Sequence, residues 1–140
     1  MPSTAMIVAV AIYLLISAIV LLFALRYLFS TRFMPYHSIA VGKKWEELDL
    51  RLQATIRAML TVVGGGMLAG GLTGILLSLL MLKSEYKVLV WIIPFLYLVH
   101  GIPTLYATVT LKRLTGAPTP VVPSVISVVL TILAFAISLI

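Results

Sequence analysis

The stretch AMLTVVGGGMLAGGLTGILLSLLML, at residues 58–82, is long, apolar and free of charged side chains. About 20 apolar residues in a helix cross the hydrocarbon core of a bilayer, which is about 30 Å thick. The backbone polar groups of a segment in lipid must pair with one another, and a helix pairs them within the segment. The stretch is therefore predicted to be a membrane-spanning helix.

Small residues recur at every fourth position of this predicted helix, which places them on one face. One stripe contains Gly66, Gly70, Gly74 and Ser78, and the stripe beside it contains Gly65, Ala69 and Thr73. Small side chains let helix backbones approach closely, and such contacts drive helix association in lipid. We expect tight packing on this side, against a helix of the same chain or of a second copy. A glycine-lined cavity for a ligand is the alternative.

Three further stretches are long and apolar enough to span a membrane. The predicted spans cover about residues 5–28, 56–82, 88–111 and 121–140. Only 10% of the 140 residues are charged and 62% are hydrophobic, whereas a soluble domain has roughly 25% charged residues. The sequence therefore predicts an all-α protein, a four-transmembrane-helix bundle that forms a single membrane domain over residues 1–140.

Positive charges are distributed unequally between the two ends of the predicted bundle. The second connection holds Lys83 and Lys87, whereas the first and third connections, together with the span ends beside them, hold Arg26, Arg32, Lys43, Lys44, Arg51, Arg57, Lys112 and Arg113. Lysine and arginine accumulate in cytoplasmic loops, so we expect an N-out/C-out topology. The formal charge of +6 is assigned to this topology and to anionic lipid headgroups. No nucleic-acid partner is expected.

The first connection, residues 30–56, is the only sizeable part of the chain predicted to lie outside the membrane. Its first half, with Pro35 and Gly42, is predicted to be a loop. Apolar residues then follow helical spacing, so an unbroken helix is expected from Trp45 to Leu82, extending the second span on the cytoplasmic side. We expect this end to be a solvated helix that docks the bundle. A surface for a partner or a lipid headgroup is the alternative.

His100 lies near the middle of the third span, where an ionisable side chain is costly and needs a partner. Tyr97 lies one turn before it, and Thr104 follows at i+4. These three residues are candidates for a ligand-binding site, with a proton site or a haem ligand as further roles for His100. The alternative is a structural, neutral imidazole bonded to a hydroxyl or to a carbonyl freed by Pro103. Threonines of membrane helices usually bond back to their own helix.

A second group of candidates lies at the predicted cytoplasmic interface. It comprises His37, Arg57 and Tyr106, together with Glu46 or Glu47. A membrane enzyme could use such a set, and the alternative is that these side chains anchor the bundle at the interface. The chain has no cysteine, which excludes disulfides, thiolate metal sites and thiol-based redox chemistry. No catalytic residue, metal site or cofactor is predicted.

Several short motifs are spread over most of the chain. They are FMPYH at residues 33–37, GGG at 64–66 and TGAPTP at 115–120, with Trp45, Leu48 and Gln53 between them. In these motifs the chain resembles a group of small bacterial four-helix membrane proteins that have no assigned activity. The resemblance implies a bacterial inner membrane as the location, and it brings no functional residue.

These features together favour a non-catalytic accessory protein, or one that binds a small ligand or a lipid. Membrane lipids are the expected partners, with anionic headgroups at the cytoplasmic face, and assembly with a second copy or another membrane protein is expected. A small oligomeric transporter or channel is the first alternative. A membrane enzyme with its site at the cytoplasmic interface is the second.

Overall fold

The computed structural model describes residues 2–83 and 87–140, and all regular structure in this part of the chain is helical. Four of its five α-helices are long and apolar enough to cross a membrane, so the predicted all-α class and the four apolar spans are confirmed. The helices are α1 (Thr4–Leu28), α2 (Pro35–Val41), α3 (Leu50–Lys83), α4 (Leu89–Thr115) and α5 (Val121–Ser138).

The outer surface of the long helices is apolar. Val62 of α3 keeps 74% of its surface exposed, and Leu22 of α1 and Val122 of α5 each keep 68%. Large exposed apolar surfaces are rare on soluble monomers, whereas lipid solvates such side chains as readily as a protein core does. The exterior therefore fits a multi-pass membrane protein.

α1 lies at the centre of the bundle. It packs along α3 on one side and along α5 on the other, α4 packs mainly on α5, and α3 and α4 meet only sparsely. The core gathers around the N-terminal half of α1 and consists of Ala9, Val10, Tyr13, Ile16, Val20, Met81, Leu89, Ile93, Tyr97 and Ala134. A cleft lies between α3 and α4, near the C-terminal end of α1.

Three glycines of α3 allow its close approach to α1. A Cβ atom built on Gly64 would lie 2.9 Å from the backbone nitrogen of Leu28, and one on Gly71 would lie 2.7 Å from the Leu21 side chain. At Gly74 it would lie 2.8 Å from Oγ of Ser17. These separations are shorter than van der Waals contact, so a larger residue would force the helices apart.

Only part of the predicted small-residue stripes belongs to this interface. Gly74 and Ser78 are buried, and Ala69 is exposed. A Cβ atom would meet nothing within 4 Å at three other predicted positions, Gly65, Gly66 and Gly70. The lower-numbered half of the stripes therefore does not pack against a helix of the same chain, and its packing against a second copy stays a prediction.

Two predictions for the first connection are wrong. Residues 35–41 form the helix α2 instead of a loop, with Pro35 at its first position and Gly42 ending it in the left-handed conformation at φ 70°. The helix expected from Trp45 begins only at Leu50, because Trp45–Glu47 is a 3₁₀ turn and Leu48 is extended, with φ −83° and ψ 142°.

Asp49 sets the beginning of α3. Its Oδ1 atom accepts hydrogen bonds of 3.0 and 2.9 Å from two backbone N–H groups of the first turn, which is the geometry of an N-cap. The side-chain amide of Gln53 donates to the carbonyls of Trp45 and Leu48, each at 3.0 Å. These bonds hold the 3₁₀ turn against α3 and explain why the helix does not continue back to Trp45.

Candidate functional site

The cleft between α3 and α4 has α1 as its floor. Its part nearer the core has a volume of about 260 Å³ and is lined by residues that include Val20, Gly66, Met67, Gly70, Leu96 and His100. A second part, of about 140 Å³, extends toward the C-terminal end of α1 and is bounded by all four long helices. The two parts share Val20, Met67 and His100, so they form one continuous α3–α4 cleft.

The α3–α4 cleft is open because its walls lack side chains that would fill it. Gly66 and Gly70 line one wall without side chains, and the buried residues of α4 end at Gly101. Beyond Gly101, α4 leans on α5, where Gly101 itself approaches Val128. Beyond Gly101, α4 therefore contributes no buried residue to the bundle in the described part of the chain.

His100 is the ionisable side chain of this cleft, and it lines both parts of it. Its backbone carbonyl accepts a hydrogen bond of 2.8 Å from the Thr104 hydroxyl. Within residues 2–83 and 87–140, no hydrogen bond reaches its imidazole, so the expected bond to a hydroxyl or to a carbonyl freed by Pro103 is not formed there. Its donor and its acceptor nitrogen are thus available to a molecule in the cleft.

Three of the hydroxyls that line the second part of the cleft are already engaged. Thr104 bonds to the carbonyl of His100, as noted, and Thr108 bonds to that of Leu105 at 3.0 Å. Ser124 bonds to the carbonyl of Pro120 at 2.8 Å. This matches the expectation that threonines bond back to their own helix. Among the described residues, His100 and Ser127 are therefore the polar side chains of the cleft that make no hydrogen bond.

Tyr97, the third candidate on α4, has its hydroxyl engaged inside the bundle. The hydroxyl is hydrogen bonded to Ser17 and donates to the backbone carbonyl of Tyr13 at 3.1 Å. The rings of Tyr97 and Tyr13 stack with centroids 5.7 Å apart and an interplanar angle of 9°. The absent side chain of Gly74 makes room for this hydroxyl. Tyr97 therefore closes the core end of the cleft and joins α1 to α4.

Sequence reasoning missed the two α1 partners of Tyr97. Tyr13 and Ser17 are fully buried, and their i,i+4 spacing in an apolar helix was the available signal. Within the described residues, the Tyr13 and Ser78 hydroxyl oxygens are buried without a hydrogen-bond partner. This polar layer lies inside the core and is separated from the cleft by Tyr97.

The structure gives local roles to two members of the predicted interfacial site. Nδ1 of His37 accepts a hydrogen bond of 3.2 Å from the Met34 N–H, and Oε2 of Glu47 accepts one of 3.0 Å from the Lys44 N–H. Arg57, Tyr106 and Glu46 are exposed. Within the described residues, no hydrogen bond links these five side chains to one another. His37 and Glu47 instead cap α2 and the 3₁₀ turn.

Acidification is expected to loosen α2 through His37. Burial lowers the pKa of His37 below its ordinary value of 6.5, so the unfolded segment takes up a proton at higher pH than the folded one. The stabilisation by neutral His37 is complete above about pH 6.5 and is lost as the pH falls through the lower folded pKa. Hydrogen-exchange protection of the α2 amides, measured from about pH 7.5 to about pH 5, should fall accordingly.

The control for this pH effect is His37→Gln, which has no imidazole to titrate. Its α2 amides should show the same protection across the pH range, after correction for the intrinsic exchange rate. An equally steep loss of protection in this variant would assign the effect to another group.

Comparison of the chain with protein-family models, with curated proteins and with solved structures finds no match. The resemblance to small bacterial membrane proteins thus stays a prediction.

Proposed function

We propose that this chain is a non-catalytic membrane protein that holds a lipid-like, amphipathic ligand in the α3–α4 cleft. We place both termini on the outer side, following the distribution of lysine and arginine, and the chain in a bacterial inner membrane, following its resemblance to small bacterial membrane proteins. The observation that carries the proposal is the His100 imidazole, which has no hydrogen-bond partner among the described residues and lines an otherwise largely apolar cleft.

The physics of the bilayer explains why His100 matters. Lipid tails are as apolar as leucine, so an apolar cleft in a membrane gains little by exchanging one hydrocarbon occupant for another. A polar side chain at this depth is costly while it lacks a partner. An occupant that brings one hydrogen-bonding group to His100 therefore has an advantage over ordinary bulk lipid.

Two glycines that line the cleft, Gly66 and Gly70, support the same proposal. Glycine costs a helix about 1 kcal/mol relative to alanine in water, and at Gly66 and Gly70 no neighbour within 4 Å requires it. At Gly64, Gly71 and Gly74, by contrast, the approach of α1 does require it. Packing within the chain does not explain why glycine stands at positions 66 and 70, whereas space for an occupant of the cleft does.

Filling the cleft should prevent ligand binding. In Gly66→Leu and Gly70→Leu the new side chain enters open space, so the fold should survive while the cleft loses volume. We expect at least about a tenfold loss of bound phospholipid, corresponding to about 1.4 kcal/mol. Native mass spectrometry of protein in mild detergent, with phosphatidylglycerol and phosphatidylethanolamine added separately, measures the retained lipid.

Gly65→Leu is the matched control for these variants. Gly65 also has open space around it, but it is not among the residues that line the cleft. It should retain lipid like the original protein. Equal retention in all three variants would contradict the proposal. A change in assembly mass confined to Gly66→Leu and Gly70→Leu would contradict it too, because the occupant would then be a helix of a second copy or partner.

A transporter or channel would need water in the cleft. The chain has no cysteine, so single-cysteine variants at Gly70 and His100 report on their own surroundings alone. A lipid-filled cleft predicts that membrane-impermeant thiol reagents react with neither. Rapid reaction of both would favour an aqueous path and therefore the transporter alternative.

A further inference from the structure

A small pocket adjoins the α3–α4 cleft where α1 ends. It has a volume of about 140 Å³ and is lined by Phe23, Arg26, Tyr27, Met34, Pro35 and Tyr36. Phe23 and Tyr27 also line the second part of the cleft, the one bounded by all four long helices. The pocket therefore continues the cleft from the interior of the bundle to the end of a predicted span, where lipid headgroups lie.

Two tyrosines close one side of this pocket. The hydroxyls of Tyr27 and Tyr36 are 2.7 Å apart and hydrogen bonded. One hydroxyl donates to the other, and the hydrogen of the accepting hydroxyl remains available to a ligand. Burial, and after it the Tyr27 hydroxyl, raises the pKa of Tyr36 above its ordinary value near 10, against the opposing charge of Arg26. Tyr36 thus stays a protonated hydroxyl at neutral pH.

Arg26 is the one charged side chain among the residues that line this pocket. It lies in the last turn of α1, and its charge acts on Tyr36. A guanidinium offers several N–H donors in a fork that matches two oxygens of a phosphate or carboxylate. With a tyrosine hydroxyl beside it and no carboxylate in the lining, the pocket suits an anionic group.

The length of the cleft suits one hydrocarbon chain of the same leaflet. Along α4 the cleft reaches from Leu96 to Thr108, which is about 18 Å at the helical rise of 1.5 Å per residue. One leaflet contributes about half of the 30 Å hydrocarbon core, or about 15 Å. A lipid whose chain fills the cleft would therefore place its headgroup at the level of Arg26.

We propose that the pocket formed by Arg26, Tyr27 and Tyr36 binds the headgroup of an anionic phospholipid whose acyl chain occupies the α3–α4 cleft. This inference rests on the proposed function and adds the lipid class and its orientation. The guanidinium and a tyrosine hydroxyl contact the headgroup, and the acyl chain passes beside His100. Glycine at positions 66 and 70 leaves room for the chain.

The test is a competition between lipids of different charge. The protein is reconstituted in nanodiscs containing equal amounts of phosphatidylglycerol and phosphatidylethanolamine, released, and measured by native mass spectrometry. We expect an approximately tenfold preference for phosphatidylglycerol, because one charge-assisted hydrogen bond contributes enough binding free energy for that ratio. Arg26→Gln should remove this preference, and Tyr36→Phe should reduce it about threefold through the lost neutral hydrogen bond.

Arg32→Gln is the matched control, because it removes one positive charge from the same end of the chain at an exposed residue outside the pocket lining. It should keep the preference. An equal loss in Arg26→Gln and Arg32→Gln would overturn the inference, since general attraction would then explain the selectivity. Displacement of phosphatidylglycerol by inorganic phosphate would also overturn it, because the pocket would then bind the free anion.

The two proposals fail in different ways. If Gly66→Leu and Gly70→Leu lose lipid while Arg26→Gln keeps the preference, the cleft binds lipid and only the headgroup assignment is wrong. If the glycine variants retain lipid, the proposed function itself is wrong.

Discussion

Gly74→Ala is expected to destabilise the bundle by about 2 kcal/mol, within the usual range for overpacking. Its Cβ atom would lie 2.8 Å from Oγ of Ser17 and 2.9 Å from Cζ of Tyr97, and closer still to the Tyr97 hydroxyl. Ser17 and Tyr97 are buried and bonded to each other, so neither can move without breaking that bond. Thermal unfolding in mild detergent, followed by circular dichroism, measures the loss.

Gly70→Ala is the control, because the same added methyl group meets nothing within 4 Å. It should leave stability unchanged or raise it slightly through helix propensity. Tyr97→Phe removes the atom with the worst clash, so the double variant Gly74→Ala/Tyr97→Phe should be more stable than the sum of the two single losses implies. Equal stability of Gly74→Ala and Gly70→Ala would refute the described packing of α3 on α1.

Tyr97→Ala is expected to have the largest effect, a loss of about 3 kcal/mol or more. The substitution deletes a ring that is 94% buried, given its exposure of 6%, and removes its stacking on Tyr13. It also leaves the Ser17 hydroxyl without its partner. Since Tyr97 links α4 to α1, the loss should appear as global destabilisation in the same unfolding assay.

Tyr97→Phe separates the ring from its hydroxyl. It keeps the stacking on Tyr13 and loses only the hydrogen bonds to Ser17 and to the Tyr13 carbonyl, so a loss of about 1 kcal/mol is expected. The predicted order of stability is the original protein, then Tyr97→Phe, then Tyr97→Ala. If Tyr97→Ala keeps its stability but loses bound lipid, Tyr97 is instead a ligand contact.

The helical class and the four apolar spans follow from the sequence because lipid leaves the backbone few alternatives. Uncharged stretches of the required length must become helices when no water is present to pair their backbone groups. The errors lie in the first connection, between the predicted spans, where that constraint is not expected to apply. There, the beginning of α3 depends on the N-cap formed by Asp49 and on the hydrogen bonds that the Gln53 side chain donates to the 3₁₀ turn.

The candidate site was predictable only in part, because helical spacing shows which residues share a face but not what the face meets. Gly70 and Gly74 are equivalent in their sequence stripe, yet α1 packs closely against Gly74 and leaves Gly70 open. His100 was identified from the sequence because an ionisable side chain within a membrane span has a high free-energy cost. The pairing of Tyr27 with Tyr36 depends on the fold of α2, which the sequence pattern did not predict.

Site-resolved photolabelling shows whether the α3–α4 cleft holds a lipid chain. A phosphatidylglycerol with a diazirine in the middle of one acyl chain is equilibrated with the protein, activated by light and mapped by peptide mass spectrometry. Labels should concentrate at Met67 and His100 in the cleft and disappear in Gly70→Leu. Labels spread evenly over outward-facing residues such as Leu22 and Val62, and unchanged in Gly70→Leu, would contradict the account.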